Sequence, residues 1–198
     1  MIIGLTGGIG SGKSTVLKMF NEFSNVAIYV ADIEAKQLMN TSKVIKENLI
    51  TAFGEEVFKN AVLNREFLAN IVFKNKHKLK VLNNIVHPEV KNHFKTFVAE
   101  NADKDYIVYE SAILFENNTE NQFDFIITVF TDLEERINRI IKRDNTTRKE
   151  VLNRINSQWQ DNKKLLLSNY VVDNYSVKNS MIRVKEIHNI LTKKHSSI

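Results

Sequence analysis

Apolar residues follow two rhythms along this chain. Short apolar runs at 2–5, 26–30, 106–109, 125–130 and 170–172 have the length and composition of buried strands. The run at 125–130 is the kind a strand flanked on both sides in a parallel sheet requires. Between these runs the apolar positions recur every three or four residues, as one face of a helix does. Val16, Phe20 and Phe23 follow Lys13 in this way. So do Leu68, Ile71, Val72, Leu79, Leu82, Ile85 and Val86, inside a largely helical stretch from 33 to about 97. A helix opens at Asp132 and runs to about Arg143, where Asp144-Asn145-Thr146 breaks it. Thr147, with Glu150 three residues later, predicts a capping box for the next helix, which carries Val151, Ile155 and Trp159. Val177, Met181, Val184, Ile187 and Leu191 mark a C-terminal amphipathic helix before a polar tail. Polar segments at 101–105 and 116–122 read as a turn and a loop. Strands alternating with helices predict an α/β fold with a doubly wound, five-stranded parallel sheet. The stretch from 33 to 97 is too long for a simple crossover and predicts a separate small helical layer.

Composition narrows the class. The 198 residues suit one α/β unit with a small inserted subdomain. A hydrophobic share of 43% is enough to bury a core, which excludes wholesale disorder. There is no cysteine, which excludes disulfides, thiolate catalysis and cysteine-ligated metals and fits a reducing cytoplasm. No apolar run approaches the ~20 residues of a membrane span, so the chain reads as soluble and intracellular. The net charge of +5 is spread along the chain rather than blocked, and no nucleic-acid motif accompanies it. It therefore reads as solvated lysines plus a site for a polyanionic small molecule.

One motif carries specific chemistry. Gly7-x-x-x-x-Gly12-Lys13-Ser14 follows an apolar strand and precedes a helix, the context in which this spacing forms a P-loop. Phosphate oxygens must meet several backbone N–H groups at once, and glycines let the chain curl close enough. The helix N-terminus adds partial positive charge. Lys13 supplies a mobile cation for the β- and γ-phosphates, and the Ser14 hydroxyl is a ligand for Mg²⁺. The motif does not by itself separate kinases from GTPases or motors. The Asp-x-x-Gly and Asn-Lys-x-Asp signatures of a GTPase are absent, since Asn75-Lys76-His77-Lys78 lacks the carboxylate.

Other candidates are read by position. Asp32 stands at the C-terminal end of the second strand, the edge along which doubly wound sheets bind ligands. There it either accepts a proton from an attacking hydroxyl or caps the helix that starts at Ile33, and position alone leaves both open. Arg136, Arg139 and Arg143 share one helical face, which is either a basic wall for a triphosphate or a solvated face paired with Glu135 and Asp144. Arg65 lies in the helical insertion, where an acceptor's phosphates could sit. His77, His87 and Glu116 carry weaker signals, and no metal-type spacing links the two histidines.

Taken together, the residues resemble the dephospho-CoA kinase family over essentially the whole chain. The match opens with Gly4-Leu5-Thr6-Gly7-Gly8-Ile9-Gly10-Ser11-Gly12-Lys13-Ser14-Thr15. It continues in order through Ala31-Asp32, Phe53-Gly54, Leu63-Asn64-Arg65, His87-Pro88, Leu114-Phe115-Glu116, Arg139 to Arg143-Asp144, Ser157-Gln158 and Val172-Asp173-Asn174. The sequence departs from the family pattern at Ala112, where a proline is usual, at Asn64, where an aspartate is usual, and at Ser168-Asn169, where Ala-Asp is usual.

The resemblance implies that ATP, with Mg²⁺ held through Ser14, phosphorylates the ribose 3′-hydroxyl of dephospho-CoA to give CoA and ADP. It implies a P-loop kinase fold in one domain, 1–198. The core would comprise about 1–32, 98–135 and 165–198, with a helical CoA-binding insertion at about 33–97 and a lid at about 136–164. Asp32 would be the catalytic base, with Lys13 and Arg139 acting on the transferring phosphate. Gly8, Gly10, Ser11, Gly12, Lys13, Ser14, Thr15, Arg139 and Arg143 would bind ATP. Thr6, Asp32, Arg65, His87 and Pro88 would bind the acceptor. The implied partners are small molecules in the cytoplasm, with neither nucleic acid nor membrane. Two other readings share part of these features: a P-loop kinase of a different small nucleotide or metabolite, and a basic ATP-regulated nucleic-acid-binding protein. The second predicts clustered lysines with interleaved aromatics, which the sequence lacks.

Overall fold

The computed structural model describes residues 1–72 and 75–196. Phe73 and Lys74, within the long helical stretch, and Ser197 and Ile198, in the polar tail, lie outside the described residues. The chain begins with β1 (Ile2–Thr6), α1 (Lys13–Phe20) and β2 (Val26–Val30). It continues through α2 (Ala31–Thr41), α3 (Lys43–Phe53), a hairpin of β3 (Phe58–Lys59) and β4 (Val62–Leu63), α4 (Arg65–Val72) and α5 (Lys76–Glu100). Then come β5 (Tyr106–Glu110), β6 (Phe125–Phe130), α6 (Leu133–Asp144), α7 (Arg148–Asn156), α8 (Asp161–Leu166), β7 (Tyr170–Asp173) and α9 (Val177–His195). Two compact units result: Met1–Val30 with Asn101–Ile198, and Ala31–Glu100.

The first unit is built on a five-stranded sheet in the order β2-β5-β1-β6-β7, with every neighbouring pair parallel. All five apolar runs are therefore strands of one sheet, as their pattern predicts. β1 takes the centre, with Leu5 in register with Glu110 and Thr6 with Thr128. Ile3, Leu5, Val108, Ile127, Val129 and Val172 pack with Val16 and Phe20 of α1 and Val184, Ile187 and Leu191 of α9 in the main core. The helical face expected to reach Phe23 ends earlier, because α1 stops at Phe20. Phe23 lies beyond it, with its ring stacked at 3.7 Å on His188. His188 in turn meets the Tyr106 hydroxyl at 2.7 Å.

The capping box forms as read. The Thr147 side chain accepts from the Glu150 N–H, and the Glu150 carboxylate accepts from the Thr147 N–H. Thr147→Ala is expected to lower stability by about 1 kcal/mol, the usual effect of losing an N-cap. A denaturant midpoint measured at constant m-value checks it. Trp159, expected on α7, lies past that helix's end at Asn156.

The second unit is more varied than the helical reading. Ser42 caps α3 by accepting from the Ile45 N–H. The β3–β4 hairpin was not legible in the pattern. Its two-residue turn, Asn60-Ala61, has φ of 51° and 65°, the positive pair of a type I′ turn. Leu68, Val72 and Val86 of the expected face are buried, with Ile45, Leu49, Val57, Leu63 and Val90. Among the described residues no helix is long and apolar enough to cross a membrane.

Candidate active site

The site begins where β1 runs into α1. Thr6, the last residue of β1, is fully buried, and its hydroxyl has no hydrogen-bond partner among the described residues. Gly12 caps α1 in a left-handed conformation, φ 92° and ψ 27°. A side chain there would be strained and would also meet the Asn174 Nδ2, since a Cβ would lie 1.9 Å from it. Gly8 is required for a different reason: its Cβ would lie 2.2 Å from the Arg136 guanidinium. Gly10 completes the curl at φ 82°. Ser14 and Thr15 are exposed in the first turn of α1, where the Thr15 N–H donates to the Gly12 carbonyl at 2.9 Å. The Ser11 hydroxyl is buried without a partner among the described residues, at the heart of the loop.

Lys13 Nζ donates to the Gly7 carbonyl at 3.0 Å, which holds its charge over the loop. Glu110 Oε1 lies 4.0 Å from that nitrogen. Glu110 belongs to no motif of the sequence. Its signal is a carboxylate closing an apolar strand, and the sheet order makes that strand the neighbour of β1.

The three arginines of α6 do not act alike. Arg136 has only 2% of its side chain exposed. Its Nε donates to the Ile9 carbonyl at 2.8 Å, and its Nη1 pairs with Asp161. Burial lowers its pKa from the ordinary value and Asp161 opposes that shift. It is neither a solvated residue nor an open ligand arm, but a brace under the loop. Arg139, 31% exposed, pairs with Glu135 through Nε and donates from Nη2 to the Asn174 carbonyl at 2.9 Å. Its Nη1 lies 3.5 Å from the Ser11 carbonyl. Arg143 is 62% exposed and grips Asp144 with Nε and Nη2, at 2.7 and 3.0 Å. Arg154 also binds Asp144, and the two arginines hold that carboxyl down at about 2. The structure thus brings Arg136 and Arg139 to the loop and turns Arg143 toward Asp144.

A second tier holds the loop from behind. Asn174, buried, donates from Nδ2 to the Ser11 carbonyl at 2.9 Å and is itself oriented by the Ser180 hydroxyl at 2.9 Å. Gln158 Oε1 accepts from the Ile9 N–H at 2.8 Å. Glu116, weak as a sequence signal, makes a buried ion pair with Lys164 at 2.8 Å and accepts from the Trp159 N–H. Lys164 Nζ also donates to the Ala112 carbonyl, a bond that the usual proline would offer equally well. The other departures are absorbed as simply. Asn169 Oδ1 accepts from the Ile126 N–H, and Asn64 Oδ1 accepts from the Phe67 N–H at the start of α4, where asparagine caps as well as aspartate.

The remaining candidates belong to the second unit. Asp32 is exposed and is the second residue of α2. Asp32 does not cap the helix, because α2 starts at Ala31 and not at Ile33, which puts Asp32 inside its first turn rather than flanking it. Arg65 is exposed at the start of α4, and His87 and Pro88 are exposed within α5.

A parallel sheet whose central strand feeds a glycine loop and an α1 N-terminus, with Lys13 over the loop and Arg139 beside it, defines a P-loop phosphotransferase. The dephospho-CoA kinase family model matches residues 1–179. A dephospho-CoA kinase from Fusobacterium nucleatum subsp. nucleatum is 40% identical over 177 residues, covering 89% of this chain and 90% of that one. One from Bacteroides fragilis is 37% identical over 185 residues, covering 93% and 90%. The crystal structure of TT1252 from Thermus thermophilus superposes with a TM-score of 0.86 at 29% identity, covering 96% of each chain. The chain belongs to the dephospho-CoA kinase family, whose reaction is the ATP-dependent phosphorylation of dephospho-CoA in coenzyme A biosynthesis.

Proposed function

We propose that the chain transfers the γ-phosphoryl group of ATP to the ribose 3′-hydroxyl of dephospho-CoA in the cytoplasm, with the residue roles that follow. The observation that carries the proposal is the cradle opened by Gly12 at φ 92° with Lys13 held above it. The amides of Gly8, Gly10, Ser11 and Gly12 and of the first turn of α1 surround the phosphates, with Ser14 and Thr15 at that turn. Lys13 exchanges the Gly7 carbonyl for a phosphate oxygen, which is a stronger, charged acceptor. Arg139 adds a second cation beside the transferring group, and Arg143 reaches ATP by leaving Asp144. Asp32 takes the proton from the 3′-hydroxyl as that oxygen bonds to the γ-phosphorus, and the β–γ bridging oxygen leaves with ADP. Thr6, Arg65, His87 and Pro88 contact the acceptor. The Ala31–Glu100 unit serves as the CoA-binding insertion, and residues 136–164 serve as the lid.

The residues present fit Mg²⁺. Ser14 and Glu110 offer hard oxygen donors, and among the described residues there is no group of three or more histidines and carboxylates that could hold a metal by itself. That suits an ion that takes its other ligands from phosphate and water. When bound, it neutralises charge on the β- and γ-phosphates.

The test is an acceptor panel. With Mg-ATP, ADP is expected to form with dephospho-CoA and not with adenosine, thymidylate, shikimate or single-stranded DNA, and EDTA is expected to stop it. Turnover of another acceptor in place of dephospho-CoA would sink the assignment. Turnover untouched by EDTA would remove the metal from it.

A further inference from the structure

Ile9 sits in the middle of the P-loop, and every part of it is held by the α6–α8 segment. Its N–H donates to Gln158 Oε1 at 2.8 Å. Its carbonyl accepts from Arg136 Nε at 2.8 Å, and Arg136 is fixed by Asp161. Its side chain packs against Ile137 and Ile140 of α6 and Val151 of α7, with Leu152 and Ile155 beside them. A loop built to take phosphate through its amides thus has one residue whose own amide is given to a side chain.

Gln158 is placed for this from both sides. It lies two residues past the end of α7 at Asn156, and its own N–H donates to the Ile155 carbonyl at 3.0 Å. After it, Trp159 is anchored. Its N–H donates to Glu116, its ring stacks on Phe115 at 6.2 Å, and Lys163 Nζ lies 3.2 Å from the ring centroid on the indole. A shift of α7 therefore reaches the phosphate cradle through the Gln158 side-chain amide as well as through the apolar contacts of Ile9, and only the amide leads directly on to the indole.

We propose that Gln158 is a positioning residue for the triphosphate, acting through the Ile9 N–H, and that the Ile9–Gln158 link ties occupancy of the P-loop to the place of α7 and Trp159. Gln158 touches no reacting atom in this role. It sets the curvature of the loop between Gly8 and Gly10, so its loss falls on ATP rather than on the acceptor.

Trp159 is the chain's only tryptophan, which makes the link readable. Gln158→Met keeps the length of the side chain and removes the acceptor. It is expected to raise the KM for ATP about fivefold, the factor one neutral hydrogen bond carries, with the KM for dephospho-CoA unchanged. ADP is expected to change Trp159 emission in the unmodified chain and to change it several-fold less in Gln158→Met. Gln158→Glu, which retains an acceptor for the Ile9 N–H, is expected to keep the Trp159 response. An ATP KM unaltered in Gln158→Met, a parallel rise for both substrates, or an equal Trp159 response in Gln158→Met and the unmodified chain would overturn the proposal. The inference rests on the kinase assignment but fails separately from it, since turnover by the unmodified chain in the same assay tests that assignment.

Discussion

Lys13→Ala lowers kcat/KM for ATP by about 10²- to 10³-fold, the usual loss when a preorganised charge donor is removed from a developing phosphoryl charge. The size follows from where the ammonium is held. Its Nζ sits on the Gly7 carbonyl beside Glu110, so the folded loop already carries the cation before phosphate enters. Removing it takes that positive charge away from incoming phosphates, and both ATP binding and kcat fall. Steady-state kinetics with ATP varied, together with ADP titration calorimetry, measure the two effects. Lys13→Ala with full activity would take the P-loop out of the mechanism.

Asp32→Asn has an effect of similar or greater size but a different signature. The amide keeps the shape and loses the basicity, so kcat drops by about 10²- to 10⁴-fold while ATP affinity stays near that of the unmodified chain. The position of Asp32 inside the first turn of α2, and not at its cap, bears on this. Asparagine there breaks no capping bond, and thermal stability is expected to hold. Single-turnover phosphoryl transfer separates chemistry from product release. An equal loss of ATP affinity and kcat would mark Asp32 as part of the metal or nucleotide site and not as the base.

Much of this was legible in the sequence, for identifiable reasons. The five strands announce themselves because a parallel strand buried on both faces needs a nearly unbroken apolar run, and each such run proved to be a strand. The P-loop is legible because its chemistry depends on a local spacing. The β3–β4 hairpin is not, because strands of two residues cannot show an alternation and Asn60-Ala61 turns without a glycine. The supports of the loop are illegible for a different reason. Gln158 lies 149 residues from Ile9 and Asn174 lies 163 from Ser11, so only the tertiary fold gives those side chains their partners. The shared face of Arg136, Arg139 and Arg143 was legible as spacing, and so were Glu135 and Asp144 as partners of Arg139 and Arg143, but the burial of Arg136 against Asp161 was not. Periodicity reports direction around a helix, not what waits there, and the neighbours of the three are Asp161, Asn174 and Asp144.

The placement of β1 at the centre of the sheet has a consequence for how the chain is made. Both neighbours of β1 are encoded more than about 100 residues later, since Ile2 pairs beside Ile107 and Ile3 beside Phe125. During synthesis the strand that feeds the phosphate loop emerges first and must wait, apolar and unpaired, until most of the chain has left the ribosome. The Ala31–Glu100 unit contains none of those strands and completes its residues just before β5 begins at Tyr106. Nascent chains arrested short of residue 106 are therefore the ones expected to engage a chaperone, with β1 as the exposed segment.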